Sequence, residues 1–259
     1  MNKQHKSDAQ RGIEWTDYTW NPVGGCKHEC RWTMPNGEIA ICYAETVAER
    51  VAQAAYPHGF AHHYWHPDKL EEPLKLKAPS RIFLDSMSDL MGHWVSDEEI
   101  EAVLDVCRRA HWHTFQLLTK AAPRLRKFKF PANVWVGASV PPSFMMGKEL
   151  SVQQQRKMLE TTLSILAAID VPVRWMSIEP LSFQVGDILD FAHREYGDLA
   201  WAVIGAASHG KQVFQPQPNL VRSAIHSLRE QSAAVFFKGN LRGNPAAETW
   251  LEEFPAVNS

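Results

Sequence analysis

The stretch RIFLDSMSDLMGHWVSDEEIEAVLDVCRRAHWHTFQLLTK, residues 81–120, places an amphipathic segment between two short apolar ones. RIFLDS (81–86) and TFQLLTK (114–120) are typical of strands. SDEEIEAVLDVCRRA (96–110) opens with a serine cap and an acidic first turn, as helices do. Four of its apolar residues recur at helical spacing: Ile100, Val103, Leu104 and Cys107. This order of strand, helix and strand predicts a βαβ unit with parallel pairing.

The same alternation continues on both sides of this unit. Further strands are predicted at 13–20, 133–140, 173–180, 199–208 and 233–239, with helices over about 151–169 and 218–231. The strands are nearly continuously apolar, as expected when both faces of a sheet are covered. We therefore predict an α/β fold, a partial or distorted (β/α) barrel of about six or seven mostly parallel strands, with a cysteine loop after the first strand. The predicted organisation is a flexible N-terminus (1–12), a single barrel domain (13–240) and a C-terminal tail (241–259).

The bulk composition is that of an ordinary globular protein. The 259 residues are 45% hydrophobic and 22% charged, with a formal net charge of −2, so no global attraction to nucleic acid or to a membrane follows. The first residues, MNKQHKSDAQRG, are polar, and no long apolar run predicts a membrane span. Four cysteines, three of them clustered, are unlike a secreted disulfide framework and favour a cytoplasmic protein with reduced, metal-binding thiols.

The three clustered cysteines lie in GGCKHECRWTMPNGEIAICYAE, residues 24–45. Asn36-Gly37 is a strong signal for a two-residue hairpin turn. Counting outward from that turn predicts the pairs Pro35 with Glu38, Met34 with Ile39, Trp32 with Ile41 and Arg31 with Cys42. This register leaves Cys30 beside Cys42, and since paired strands stand about 5 Å apart, the hairpin predicts that Cys26, Cys30 and Cys42 share one site.

Three cysteines without a fourth leave one ligand position open. The spacing alone is compatible with a 4Fe-4S cluster that keeps one iron exposed, and equally with zinc completed by His28. Three buried, unligated thiols are the remaining alternative. The fourth cysteine, Cys107, lies on the apolar face of a predicted helix and is interpreted as a core residue.

Polar residues follow the predicted strands, whose bodies are apolar. In (β/α) barrels the chemistry is carried by the carboxyl ends of the strands, so these positions predict the mouth of a site: Asn21, Ser86–Asp89, Thr119–Lys120, Ser139, Glu179, Ser208 and Lys238.

Seven blocks appear in a fixed order along residues 13–240: IEWTDYTWNPVGGC, CYAE, DSMSDLMGHWV, FQLLTK, NVWVGASV, RWMSIEPL and VFFKG. Together they resemble the phage-associated three-Cys-motif proteins, a radical S-adenosylmethionine (SAM)-like family that is distantly similar to the spore photoproduct lyase group. The resemblance implies a partial (β/α) barrel, a 4Fe-4S cluster and SAM, with Cys26, Cys30 and Cys42 as the cluster ligands. The gap of eleven residues between Cys30 and Cys42 departs from the short gap usual in radical SAM proteins.

The resemblance also implies a reaction. An external electron donor would reduce the cluster, SAM would be cleaved, and a 5′-deoxyadenosyl radical would abstract hydrogen from a substrate, here a nucleic acid or nucleotide. Cofactor contacts are then expected at the strand ends, from Ser86, Ser88, Asp89, Lys120, Ser139 and Glu179. A non-catalytic, zinc-stabilised nucleic-acid-binding module is the alternative, and an inactive barrel that serves a partner protein is a third.

Three further groups are open to a structural and a functional interpretation. The histidines of HGFAHHYWHP (58–67) are typical of a polar aromatic loop, which Gly59 and Pro67 favour over a helix with a metal pair at His62 and His66; substrate contact is a further interpretation of this loop. The basic stretch TKAAPRLRKFKF (119–130) favours a solvated helix face over a phosphate-tracking surface. Glu14 and Asp17 are candidates either to brace the first strand or to act as catalytic carboxylates.

Overall fold

A computed structural model of the chain describes residues 1–4, 12–34, 36–210 and 212–256. Its strands, in chain order, are β1 (Asn2–Lys3), β2 (Tyr18–Trp20), β3 (Val23–Gly24), β4 (Arg31–Thr33), β5 (Ile39–Ile41), β6 (Tyr64–Trp65), β7 (Arg81–Leu84), β8 (Thr114–Thr119), β9 (Val134–Ser139), β10 (Phe144–Met145), β11 (Lys148–Glu149), β12 (Arg174–Ile178), β13 (Trp201–Ile204), β14 (Ala207–His209), β15 (Gln212–Phe214) and β16 (Ala234–Phe237). Its α-helices are α1 (Tyr43–Arg50), α2 (Glu72–Lys75), α3 (Asp97–Arg109), α4 (Val152–Ala167), α5 (Gly186–Tyr196) and α6 (Pro218–Glu230). Short 3₁₀ helices occupy Gln53–Ala55, Pro67–Lys69, Ala122–Lys127 and Gly239–Leu241.

A large central sheet organises the molecule, in the order β1-β2-β7-β8-β9-β12-β13-β16. Every pair from β2 to β16 is parallel, and only the edge strand β1 is antiparallel. All seven strands predicted from the sequence lie in this sheet, which confirms a mixed α/β fold with a mostly parallel sheet. The finer expectation, that the sheet curves into a partial barrel, stays a prediction.

The helices α3 to α6 cover one face of the sheet, since the apolar residues of each belong to the same core cluster as the strands. In α3 the buried residues are Ile100, Val103, Leu104, Val106 and Cys107, so Cys107 is a core residue, as predicted. Ser96 and Ser151 begin α3 and α4 with complete capping boxes, in which the serine side chain and a Glu or Gln three residues later satisfy otherwise unpaired backbone groups. No helix of the described residues is long and apolar enough to cross a lipid bilayer.

The other face is filled by aromatic side chains rather than by helices. Trp15, which precedes β2, packs edge-on against Phe83, Trp175 and Trp201 at centroid distances of 4.7, 5.3 and 5.8 Å. Gly137 allows this packing, since a Cβ at that position would lie 2.3 Å from the Trp175 ring. We call the buried group Trp15, Phe83, Trp135, Val173, Trp175, Trp201, Val203 and Phe236 the tryptophan cluster.

Both chain ends pack on the sheet, beyond the predicted domain boundaries of 13 and 240. Asn2 and Lys3 pair with Thr19 and Tyr18. At the other end, the Phe254 ring lies 5.6 Å from Trp201, with the guanidinium of Arg81 3.7 Å from its centre. Residues 5–11 of the predicted flexible N-terminus and 257–259 of the predicted tail lie outside the described residues.

Candidate functional site

The cysteine hairpin is formed by β4 and β5, in a register one residue away from the predicted one. Arg31, Trp32 and Thr33 pair with Ile41, Ala40 and Ile39, and the predicted pairs Met34 with Ile39, Trp32 with Ile41 and Arg31 with Cys42 are wrong. The amides of Gly37 and Met34 bond the carbonyls of Met34 and Glu38. The turn therefore connects Met34 to Glu38 and is longer than the predicted two-residue turn. The predicted pair of Pro35 with Glu38 lies outside the described residues.

The observed register changes how Cys30 and Cys42 face each other. Cys30 now lies directly across from Cys42, whose amide donates to the Cys30 carbonyl at 3.2 Å. Arg31 clamps the hairpin to α1 through two hydrogen bonds to Glu45, of 2.6 and 2.7 Å. Cys26 and Cys42 pack against the same small apolar cluster, formed by Ala44, Ala48 and Phe60. The hairpin thus brings Cys30 and Cys42 close together, although eleven residues separate them in the sequence.

The segment before the hairpin is fastened to the carboxyl end of β7. The amide of Gly25 donates to the Met87 carbonyl at 3.0 Å, and the Ser88 hydroxyl donates back to the Gly25 carbonyl at 2.6 Å. Gly25 has φ +80°, and a Cβ there would lie 1.8 Å from the carbonyl oxygen of His62. Only glycine fits this backbone path, which explains the Gly-Gly that precedes Cys26.

All four thiols are free, and Cys30 is buried while Cys26 and Cys42 are half-buried. Burial raises the pKa of Cys30 to about 11 even though Lys120 opposes the shift, and burial followed by the negative charge of Asp89 raises the pKa of Cys26 well above its usual value. Without a metal these two thiols are therefore protonated at neutral pH. Among the described residues, no three His, Cys, Asp or Glu side chains already stand in a metal-binding arrangement.

Lys120 follows β8 and places a positive charge among the cysteines. Burial would lower the pKa of its ammonium, but the negative charge of Asp89 and those that Cys30 and Cys42 carry when ionised outweigh burial and raise the pKa. Contact of Lys120 with a cofactor stays a prediction. Three reduced thiols with one cation beside them form a donor set that fits an anionic thiolate-bound metal centre.

Asp89 is the most heavily hydrogen-bonded side chain of this region, and it is 5% exposed. Its Oδ1 accepts from the Thr119 hydroxyl at 2.7 Å and the Met91 amide at 3.0 Å; its Oδ2 accepts from His28 Nε2 at 2.7 Å and the Lys120 amide at 2.8 Å. Burial alone would raise the pKa of Asp89, but the hydrogen bonds, led by that of His28, hold it below its usual value. The carboxylate is ionised and fully engaged.

Ser86 and Ser88, also predicted to contact a cofactor, brace the same loops. The Ser86 hydroxyl donates to Asn21 Oδ1 at 3.1 Å, and Asn21 Oδ1 also accepts from the Met87 amide. Tyr43, the residue after Cys42, donates its hydroxyl to the Ser86 carbonyl at 2.5 Å. Contact of Ser86, Ser88 or Asp89 with a cofactor stays a prediction. The two serine hydroxyls donate here and keep acceptor lone pairs, whereas each oxygen of Asp89 already accepts two hydrogen bonds.

Glu179 and Lys238 form an ion pair at the carboxyl ends of β12 and β16. Beside them, Glu14 accepts from the Gly239 amide at 2.8 Å, and burial raises the pKa of Glu14. Burial raises the pKa of the Tyr43 hydroxyl, and the charge of Glu179 contributes to this rise. Glu179 and its partners therefore lie near the start of α1, which directly follows the cysteine hairpin. The predicted Ser139 ends β9 and is 6% exposed.

The histidine loop and the basic stretch have separate positions. Gly24 pairs with Tyr64, and the Cys26 amide donates to the Phe60 carbonyl at 2.8 Å, so the histidine loop lies against the cysteine loop. In the basic stretch, Arg124 and Lys127 both bond Asp97 at the start of α3. These contacts favour the structural interpretation of the basic residues.

Sequence reasoning missed the side chain of Asp85, one residue past β7. Asp85 is 2% exposed and has φ +50°, a left-handed conformation that is uncommon outside glycine but that aspartate adopts more readily than most residues. Its Oδ1 accepts from the Val23 amide at 3.0 Å, whereas its Oδ2 is buried without a partner among the described residues. Burial raises its pKa well above the usual value. The sequence does contain a signal for Asp85, which lies near the end of the predicted strand RIFLDS (81–86). The predicted mouth of the site, however, included only Ser86 to Asp89 from this segment.

With this geometry, the chain defines a mostly parallel α/β protein that carries a cysteine loop at the carboxyl edge of its sheet. Residues 10–245 match the family described as "Protein of unknown function (DUF5131)", and the chain belongs to that family. No curated protein matches the sequence.

The fold is similar to solved structures of spore photoproduct lyase. A mutant of that enzyme with one cysteine replaced by serine matches with a TM-score of 0.54 and 10% identity, over 86% of this chain and 76% of that one. A double mutant with bound AdoMet and dinucleoside spore photoproduct matches with a TM-score of 0.47 and 12% identity, over 84% of this chain and 62% of that one. At such identities the likeness concerns the fold, and it rests on the first of the two.

Proposed function

We propose that this chain is a radical SAM enzyme in which Cys26, Cys30 and Cys42 bind a 4Fe-4S cluster. The observation that carries the proposal is the position of three free thiols around Lys120, on a loop that follows the first parallel strand. The fold likeness to spore photoproduct lyase supports it. Kinship with phage-associated three-Cys-motif proteins and a partial barrel belong to the same proposal.

The protein's own residues have distinct tasks in this proposal. The three thiols lose their protons on binding iron, and they leave one ligand position of the cluster open. Lys120 offsets the resulting negative charge and can pair with a carboxylate of the cofactor. Glu179 and Ser139 offer hydrogen-bonding groups at neighbouring strand ends. When bound, the cluster and SAM supply one-electron cleavage of the sulfonium carbon–sulfur bond.

The substrate that we propose is a nucleic acid or nucleotide, on the basis of the resemblance to phage-associated three-Cys-motif proteins. An external electron donor is needed, because one-electron cleavage of SAM consumes an electron. A cytoplasmic location follows from the proposal, since reduced thiols persist there.

Anaerobic reconstitution with iron and sulfide tests the proposal. Wild-type protein should turn brown and bind four irons and four sulfides per chain, as a 4Fe-4S cluster requires. Cys42→Ala should lose this ability, whereas Cys107→Ala, a change in the core of α3, should keep it. Addition of SAM and dithionite should then release 5′-deoxyadenosine. A wild-type protein that binds no iron under these conditions contradicts the proposal.

One observation favours the zinc-stabilised, non-catalytic alternative. His28 donates from Nε2 to Asp89, and its buried Nδ1 has no partner among the described residues. Zinc-binding histidines often use a carboxylate in this way to orient the ring. Metal analysis of protein purified without added metal separates the two functions, since a single zinc ion and no iron–sulfur colour would support the binding module.

A further inference from the structure

Asp89 connects two parts of the site that are far apart in sequence. One of its partners, His28, lies between Cys26 and Cys30 on the cysteine loop. Two others, the Thr119 hydroxyl and the Lys120 amide, belong to the end of β8. The carboxylate therefore joins the loop that carries the thiols to the segment that carries the cation.

We propose that Asp89 is a positioning residue, whose carboxylate fixes the cysteine loop and Lys120 in one relative arrangement through His28, Thr119 and the Lys120 amide. The inference rests on the proposed function in one respect, namely that the thiols and Lys120 are the groups that receive the cofactor.

The geometry separates this role from direct ligand binding. Both oxygens of Asp89 already accept two hydrogen bonds each, all between 2.7 and 3.0 Å. Four acceptor sites are about what an ionised carboxylate offers. The side chain is also 5% exposed, so it has neither a free acceptor nor an open path to a bound molecule.

The loop has few other attachments to β8, and this makes the role of Asp89 specific. The described hydrogen bonds of residues 24–26 run to the β7 end and to the histidine loop. His28 packs edge-on against Trp94, at a centroid distance of 4.9 Å, and its Nε2 bond to Asp89 is the polar link from this loop toward Thr119 and Lys120. Hydrogen bonds to an ionised group are stronger than neutral ones, and a buried one is costly to leave unmade.

The metal-free protein provides a direct test that does not depend on the cluster. Thr119→Val removes the hydroxyl that donates to Asp89, and with it the acceptor of the Ala121 amide, whereas Thr119→Ser keeps both contacts. Neither change alters the charge. The readout is the rate at which iodoacetamide alkylates Cys30, resolved by mass spectrometry, because labelling of this buried thiol reports local opening of the loop. Cys107, fully buried in α3, reports global opening in the same sample.

We expect Thr119→Val to raise the alkylation rate of Cys30 roughly ten-fold, with Thr119→Ser near the wild-type rate and Cys107 unchanged in both. Asp89→Asn should have a larger effect on Cys30, since its amide group would place a donor against His28 or the Lys120 amide. Equal Cys30 rates in the valine and wild-type proteins would overturn the proposal. A parallel rise at Cys107 would also overturn it, because the network would then support the fold as a whole.

Reconstituted protein gives the second readout. Iron loss to a chelator should be several-fold faster from Thr119→Val than from Thr119→Ser, and equal rates would count against positioning. If wild-type protein takes up no cluster, the proposed function fails, while the alkylation rates still decide the role of Asp89.

Discussion

The tryptophan cluster and the cysteine loop differ in how many of their buried polar atoms lack a hydrogen-bond partner. In the cluster, the indole nitrogens of Trp175 and Trp201 donate to the carbonyls of Trp135 and Glu253, at 3.4 and 3.0 Å. Around the cysteine loop, four buried polar atoms have no partner among the described residues: His28 Nδ1, Trp32 Nε1, Asp85 Oδ2 and Trp94 Nε1.

This difference indicates what each region is for. Buried polar groups in folded proteins are nearly always paired, and exceptions concentrate where function constrains the chain. At the tryptophan cluster, which holds the sheet, one atom without a partner in the described part of the chain lies beside Trp15: Oε1 of Gln116, whose Nε2 donates to the Trp15 carbonyl. The cysteine loop departs from the rule at several neighbouring positions, as expected for a region selected for something other than stability.

The largest effect should come from the tryptophan cluster. Trp175→Ala removes a fully buried side chain that touches Trp15 and Trp201, and should lower the free energy of unfolding by about 3–5 kcal/mol. Urea denaturation measures it. Trp250→Ala, which removes a partly exposed ring stacked on Arg242, should cost much less. Equal losses would show that the cluster is not the main support of the sheet.

Alanine substitutions at two glycines compare the tolerance of the cysteine loop with that of its hairpin turn. Gly25 and Gly37 have φ values of +80° and +84°, but a Cβ at Gly25 would collide with the backbone of His62 while one at Gly37 would meet nothing within 4 Å. Gly37→Ala should cost about 1 kcal/mol from backbone strain alone. Gly25→Ala should cost at least about twice as much, and should also speed alkylation of Cys26. Similar costs at both positions would mean that the loop moves aside freely.

A further predicted effect depends on pH. Because burial raises the pKa of Asp85 in the folded state, the folded chain binds this proton more tightly than the unfolded chain. Stability should therefore fall as the pH rises above about 4, by up to about 1.4 kcal/mol per pH unit, until the pH reaches the folded-state pKa. Asp85→Asn should remove this decline, as measured by urea midpoints across the pH range.

Asp187→Asn is the control of opposite sign. Arg156 lowers the pKa of Asp187, so that this pair contributes stability that is lost as the pH falls. An Asp85→Asn protein with the wild-type pH dependence would contradict the account of Asp85.

Local patterns were sufficient to predict the seven strands of the central sheet, because each is a continuous apolar run between turn residues. They also predicted α3, α4 and α6. The helix α5 was missed although Ile188, Leu189 and Ala192 form its buried face and Gly197 ends it. The hairpins β10–β11 and β14–β15 were missed because strands of two or three residues show no measurable alternation.

The site was predicted less completely, for a different reason. The cysteines and Lys120 stand out by residue type and position. The hydrogen bond between His28 and Asp89 joins residues 61 positions apart. The packing of Trp15 on one face of the sheet depends on Gly137 and Trp175. Such contacts arise only when the strands are assembled. The hairpin register was wrong by one residue because Asn36-Gly37 belongs to a turn one residue longer than the usual form.

The segment that crosses the tryptophan cluster limits how the chain can be shortened or fused. Glu252 forms an isolated antiparallel β-bridge with Phe236, and the Phe254 ring packs against both Phe236 and Trp201. The family match, however, ends at residue 245. A recombinant fragment cut at that boundary would expose an aromatic surface to solvent and to other copies of itself. Expression vectors for this family are better designed from packing than from the edges of an alignment.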